Sequence, residues 1–159
     1  IESLQNLQQR YLDLGGQIYN RNYTIKMLWL KVLSRIPEMS EQHEALALHL
    51  LDQQFNQDVF YLWFQQQLLK QIPDYAYVEQ RIIQLEQRYT SVPMLTFAKW
   101  HIYVATQRQQ EAEQLLSLYP DNILMSYLRI KTVLGDNPDL IRQLNLIFEN
   151  DVNFLNFKI

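Results

Sequence analysis

The fold class this sequence predicts is all-α: antiparallel helical hairpins stacked as a short α-solenoid of about four A/B pairs plus terminal helices. Three observations predict it. Hydrophobic residues make up 48% of the chain, and they recur at i, i+3 and i+4 instead of alternating. Glycine (3) and proline (5) are scarce, whereas all-β domains need many glycine-rich turns. Tryptophan returns at near-constant intervals, as Trp29, Trp63 and Trp100, 34 and 37 residues apart, which is the mark of an internal repeat.

The elements follow in order. Leu4, Leu7, Tyr11 and Leu14 lie at helical spacing and Gly15-Gly16 stop them, so residues 1–22 read as an N-terminal helix and linker. The first A helix covers 23–36, MLWLKVLSRI within it, and Pro37 closes it. Ser40 opens the first B helix, 40–55, with Glu41 and Glu44 in the turn where acids suit the helix dipole. Asp58 is the expected cap of the second A helix, 59–71, and Pro73-Asp74 turns the chain into a B helix over 75–90, with Val78, Ile82, Leu85 and Tyr89 on one face. Pro93 sits at the first turn of the third A helix, 93–106, and 109–119 is its B partner. Asn122 leads into 122–134, Gly135-Asp136-Asn137-Pro138 forms a turn, and 138–149 is the last B helix. Residues 151–159, VNFLNFKI apart from Asp151, look like the start of a further helix. Residues 23–150 would hold the repeats of a single helical-repeat domain spanning 1–159. Each pair is too small to bury its apolar face alone, so stacking is expected.

Composition excludes several function classes. A net charge of -3 gives no footprint for nucleic acid. Without cysteine there is no disulfide framework, thiolate nucleophile or cysteine-based zinc site. The compartment stays open, cytoplasmic or periplasmic. Apolar runs such as MLWL and ILMSYL fall far short of the roughly 20 residues that span a bilayer. The chain begins with Ile rather than Met, which suggests a processed protein or an excised fragment of a longer one.

QEAEQLLSLYPDNILMSYLRIKTVLGD, residues 110–136, resembles the tetratricopeptide repeat. The resemblance rests on Glu111-Ala112 opening a B helix, Tyr119-Pro120-Asp121-Asn122 as connector and Gly135-Asp136 closing an A helix. It implies helical pairs of about 34 residues wound into a right-handed superhelix whose inner face, lined by A helices, grips peptide segments of partners. The sequence departs from the pattern in two ways. The small residue usual in the A helix is out of phase, with Ala98 and Ser126 the nearest matches, and the spacing drifts. A degenerate, tetratricopeptide-like repeat is the reading.

Charge sorts by helix. The A helices carry Lys26, Lys31, Arg35, Lys70, Lys99, Arg129 and Lys131 with no acid between their caps. The B helices carry Glu41, Glu44, Asp52, Glu79, Glu86, Glu111, Glu113, Asp139 and Glu149. If the A helices line a concave face, that groove is basic and focuses its field on an anionic ligand. The alternative is solvated faces with basic helix ends that suit the dipole. Candidate partner-binding residues are therefore Lys31, Arg35, Gln66, Gln67, Lys70, Lys99, His101, Arg129 and Lys131, the glutamines offering amide hydrogen bonds to an extended peptide.

No catalytic or metal constellation is legible, and no cofactor is implied. His43 and His49 lie six apart on one helix, so they do not share a ligand face. His101 has no acid on its own helix to orient it as a base. Trp29, Trp63, Trp100, Tyr61, Phe64 and Tyr103 suit a stacking platform or, more simply, a core. The expected function is a non-catalytic scaffold binding a protein or peptide partner, acidic in character, in the basic groove. Two rivals stand beside it. One is an accessory domain of a bacterial envelope or glycan/polymer assembly enzyme, holding an anionic polymer. The other is a helical bundle that forms a homodimer, for which the apolar tail Val152, Phe154, Leu155 and Phe157 would allow self-association.

Overall fold

The computed structural model describes residues 23–149 together with Asn6. The expected N-terminal helix and linker and the further helix at 151–159, with the apolar tail, lie outside the described residues. Among those described, every regular element is helical. They are α1 (Tyr23–Leu33), a 3-10 turn (Pro37–Met39), α2 (Ser40–Gln53), α3 (Gln57–Leu68), α4 (Tyr75–Arg88), α5 (Pro93–Ala105), α6 (Gln109–Leu115), α7 (Ile123–Leu134) and α8 (Pro138–Glu149). The chain divides into two compact units, Ile1–Lys70 and Gln71–Ile159.

In the first unit α1 packs on α2, α2 on α3, and α1 also meets α3. Short connections between packed neighbours make these helices hairpins. α3 supplies much of the core. Phe60, Trp63 and Phe64 are fully buried and Tyr61 nearly so. Phe60 meets Trp63 and Phe64 with ring centroids 5.8 Å away in each case, as i+3 and i+4 neighbours do. The helix starts earlier than expected. Asn56, not Asp58, caps it: the Asn56 side-chain oxygen accepts from the Val59 N–H at 3.1 Å, which leaves Asp58 inside the first turn.

The two Ile-Pro-acid stops also diverge. Before Pro37 the chain is extended at Ile36, as the residue ahead of a proline prefers. The 3-10 turn then runs straight into α2, with the Ser40 N–H bonded to the Pro37 carbonyl. Ile36 is buried with Leu33 and Met39, and Trp29, Val32 and Leu46 pack against them. Ile72 of the second motif is 86% exposed. Asp74 follows it and caps α4 by accepting from the Tyr77 N–H at 3.0 Å.

In the second unit α4 packs on α5, α5 on both α6 and α7, and α7 on α8. α5 is thus enclosed from several sides, and Met94, Leu95, Thr96, Phe97, Ala98, Trp100 and Ile102 are all buried. The third B helix ends at Leu115, short of the expected 119. The Arg108 guanidinium closes on the Glu79 carboxylate at 3.1 and 2.6 Å and lies 4.2 Å from the Tyr103 ring centroid, joining the start of α6 to α4 and α5. Asn122 caps α7 through the Leu124 N–H, and Asn137 accepts from Asp139 and Leu140 at the start of α8. Gly135, at φ 62°, ends α7 in a conformation that side chains disfavour. On α8, Leu144 is buried while Leu146 and Ile147 are exposed. No helix among the described residues is long and apolar enough to cross a membrane.

Trp63→Ala should cost about 3–5 kcal/mol, whereas Ile72→Ala should stay within about 0.5 kcal/mol of the parent. Urea denaturation of the two variants measures the contrast between these parallel motifs.

Candidate functional site

Each unit carries a groove lined by polar side chains, with His43 in the first and Lys131 in the second. The groove of the second unit encloses ≈ 400 Å³ and is lined by Trp100, His101, Val104 and Ala105 from α5, Gln109 from α6, and Lys131, Thr132, Gly135 and Asp136 from α7 and its end. The Lys131 ammonium stands 5.9 Å from the Trp100 ring and 5.8 Å from the Tyr127 ring. The i, i+4 spacing of Tyr127 and Lys131 sets the second contact, and the packing of α7 on α5 sets the first. Burial pushes the Lys131 pKa down. Among the described residues no carboxylate pairs with it, so its charge is partly desolvated and answered only by ring faces.

His101 sits beside this cation. Its Nδ1 lies 2.9 Å from the Phe97 carbonyl, and its ring is 4.6 Å from Phe97 and 5.0 Å from Trp100. In the neutral form the Nδ1–H donates to that carbonyl. Burial, and secondarily the Lys131 charge, lowers the His101 pKa to about 3 against the pull of the Phe97 carbonyl. The ring is therefore neutral at pH 7. Tyr127 donates its hydroxyl to Asn145 at 2.8 Å, and burial raises its pKa.

The groove of the first unit encloses ≈ 440 Å³ between the first turn of α2 and the last turn of α3. Pro37, Ser40, Glu41, His43 and Glu44 form one wall and Gln66, Gln67, Leu69 and Lys70 the other. His43 is 1% exposed, and neither ring nitrogen has a hydrogen-bond partner. Burial lowers its pKa, opposed by Glu44, so the ring is held toward its neutral form. An unmade donor or acceptor in such a place costs about 1–3 kcal/mol. Gln67, beside it on the wall, is 2% exposed.

The residues singled out from the sequence fall in several places. His101 and Lys131 meet in the second unit's groove, and Gln66, Gln67 and Lys70 line the first unit's groove. Gln66 also donates to the Ser34 carbonyl at 3.2 Å, which ties α3 to the end of α1. Lys31 and Arg35 are exposed and line neither groove. Lys70 stands 3.8 Å from Glu44, and Lys99, with its side chain 15% exposed, stands 3.1 Å from Glu86. Arg129 donates to the Pro120 and Leu116 carbonyls and so fastens the connector between α6 and α7. Lys26 is buried, 3.0 Å from His49 Nε2. Positive charge on A helices thus meets acids of B helices at Lys70 and Lys99, in addition to its placement in the grooves.

Trp100, Val104 and His43 also line the grooves, although the sequence did not place them among the partner-binding candidates. The sequence pointed at Trp100 as a stacking platform or as core, and it is both buried and a groove wall. Nothing in the sequence marks His43 as unsatisfied. Among the described residues, no three His, Cys, Asp or Glu converge as metal ligands. No family model, curated protein or solved structure matches this chain.

Acid should destabilise the protein through His101. The unfolded chain takes up the proton near pH 6.5 while the folded ring resists until about 3. This contribution is complete above pH 6.5 and is lost as pH falls from there toward 3, by roughly 2 kcal/mol at pH 5. Urea midpoints at pH 7, 6 and 5 measure it, and His101→Phe should flatten the slope.

Proposed function

We propose that this chain is a non-catalytic scaffold, a tetratricopeptide-like stack of helical hairpins, that binds an acidic segment of a protein partner. The groove between α5 and α7 is its seat. The observation that carries this reading is Lys131: a partly buried ammonium over two aromatic rings, at the edge of an open groove, with no carboxylate paired to it among the described residues.

Such a cation gains most from a ligand that brings the missing counter-charge. A carboxylate placed on Lys131 forms a charge-assisted hydrogen bond in a site already partly dry, where it is worth more than an exposed surface pair. Val104 and Ala105 on the same wall offer apolar contact to the neighbouring side chain of the segment. Asp136 at the rim disfavours ligands with a second negative charge on that side. The pattern of contacts supports the hairpin stack as the frame: A helices meet A helices within each unit, α1 with α3 and α5 with α7, and α1, α5 and α7 also pack on their own B partners. Repeats that bury their faces on one another leave an A-helix surface for a guest.

Titration of the chain with fluorescent acidic peptides, alongside anionic oligosaccharides and neutral peptides, tests the reading. An acidic peptide should bind most tightly and weaken with added salt. Lys131→Glu should weaken it at least about tenfold, and Lys31→Glu, which does not touch the groove lining, should leave it within about twofold. Equal losses in the two variants, or a preference for oligosaccharide, would sink the proposal.

A further inference from the structure

We propose that the groove between the first turn of α2 and the last turn of α3 binds a guanidinium group, carried by an arginine of a partner segment or by a free arginine-like cation. This site stands apart from the acidic-segment reading and does not depend on it.

The first support is His43. Both of its ring nitrogens are buried and unpartnered, and the residue lines the groove. Held toward neutrality, the imidazole presents one acceptor nitrogen and one N–H. Around it the acceptors outnumber the donors. Ser40, His43 and Glu44 share one face of α2 at i, i+3 and i+4, with Glu41 at the rim. Gln67 adds an amide oxygen from α3. Glu41 has no ion-pair partner among the described residues, while Glu44 stands 3.8 Å from Lys70.

Charge chooses the ligand. Two carboxylates face one ammonium, so an anion is disfavoured. The lining has no Phe, Tyr or Trp ring on which a sugar or a base would stack, and the imidazole of His43 is 1% exposed. No three metal-ligating groups converge among the described residues. A guanidinium has five N–H donors in a plane and no acceptor, which suits a wall of carboxylates, an imine nitrogen and an amide oxygen. A volume of ≈ 440 Å³ leaves room for the arginine stem, with Pro37 and Leu69 as apolar contacts. Lys70 then competes with the ligand for Glu44. Its removal should strengthen binding, the opposite of its effect on an acidic guest.

Calorimetry on the full 159-residue chain tests this with N-acetyl-arginine amide and its citrulline counterpart, an uncharged isostere. The arginine probe should bind at least about tenfold tighter than citrulline. His43→Phe should abolish most of that binding, Glu41→Gln should weaken it about fivefold, and Lys70→Met should strengthen it about threefold. Circular dichroism of each variant separates lost binding from lost folding. If an Ala-Arg-Ala peptide binds more tightly than the amide, the source is a partner segment. Equal affinities point to a free cation, and either result supports the site. Citrulline binding as well as arginine, Lys70→Met weakening the complex, or His43→Phe raising Tm with affinity unchanged would each overturn it. The last outcome would mean that the imidazole is an unsatisfied buried group that makes no contact with the ligand.

Discussion

The enclosure of the A helices by more than one neighbour is the constraint from which the rest of the structure follows. α5 has α4, α6 and α7 against it, and α3 is met by both α1 and α2. A helix covered on one side needs an apolar stripe, but one covered on several sides must be apolar around most of its girth. This explains seven buried residues in the thirteen of α5 and the run of large aromatics in α3. It also explains why these helices trap polar groups. Side chains on such a surface have little water within reach, so each must find a protein partner or remain unsatisfied.

The proposed binding features are drawn from those trapped groups. Lys26 found His49, Arg108 found Glu79, and Arg129 found the carbonyls of a connector. These contacts hold elements together. Among the described residues Lys131 found only ring faces, and the ring nitrogens of His43 found no hydrogen-bond partner. The difference between a structural and a receptive polar group here is whether a counterpart lies within reach, and two grooves mark where it does not. Charge alone does not make that distinction: Lys99 and Lys131 both lie on helices without an acid, yet one is paired with Glu86 and the other lines an open groove.

Much of the helical order was legible because its signals are local. Proline at 37, 93 and 138, asparagine or aspartate at 74, 122 and 137, and glycine at 135 act on the backbone next to them. Predicted helices agree closely with those observed at Asp74, Pro93, Asn122, Gly135 and Pro138, whereas α1 ends at Leu33, short of the expected Ile36, because the residue ahead of Pro37 is drawn into extended backbone. Another difference lies where two local signals competed. Asn56 and Asp58 were both able to cap, and the oxygen that reaches the Val59 N–H is that of Asn56. The third B helix gives up its regular form after Leu115, where no proline or glycine intervenes until Pro120.

By itself the sequence determined the all-helical class and the order and approximate length of the elements, because periodicity and capping depend on residues within one or two turns. Only the tertiary structure decided which polar side chains are satisfied. A carboxylate on another helix neutralises Lys99, and among the described residues none does so for Lys131. Two isoleucines in the same Ile-Pro-acid context end as 5% and 86% exposed. Satisfaction and burial are properties of pairs of elements distant in sequence, and no single helix encodes what will lie across from it.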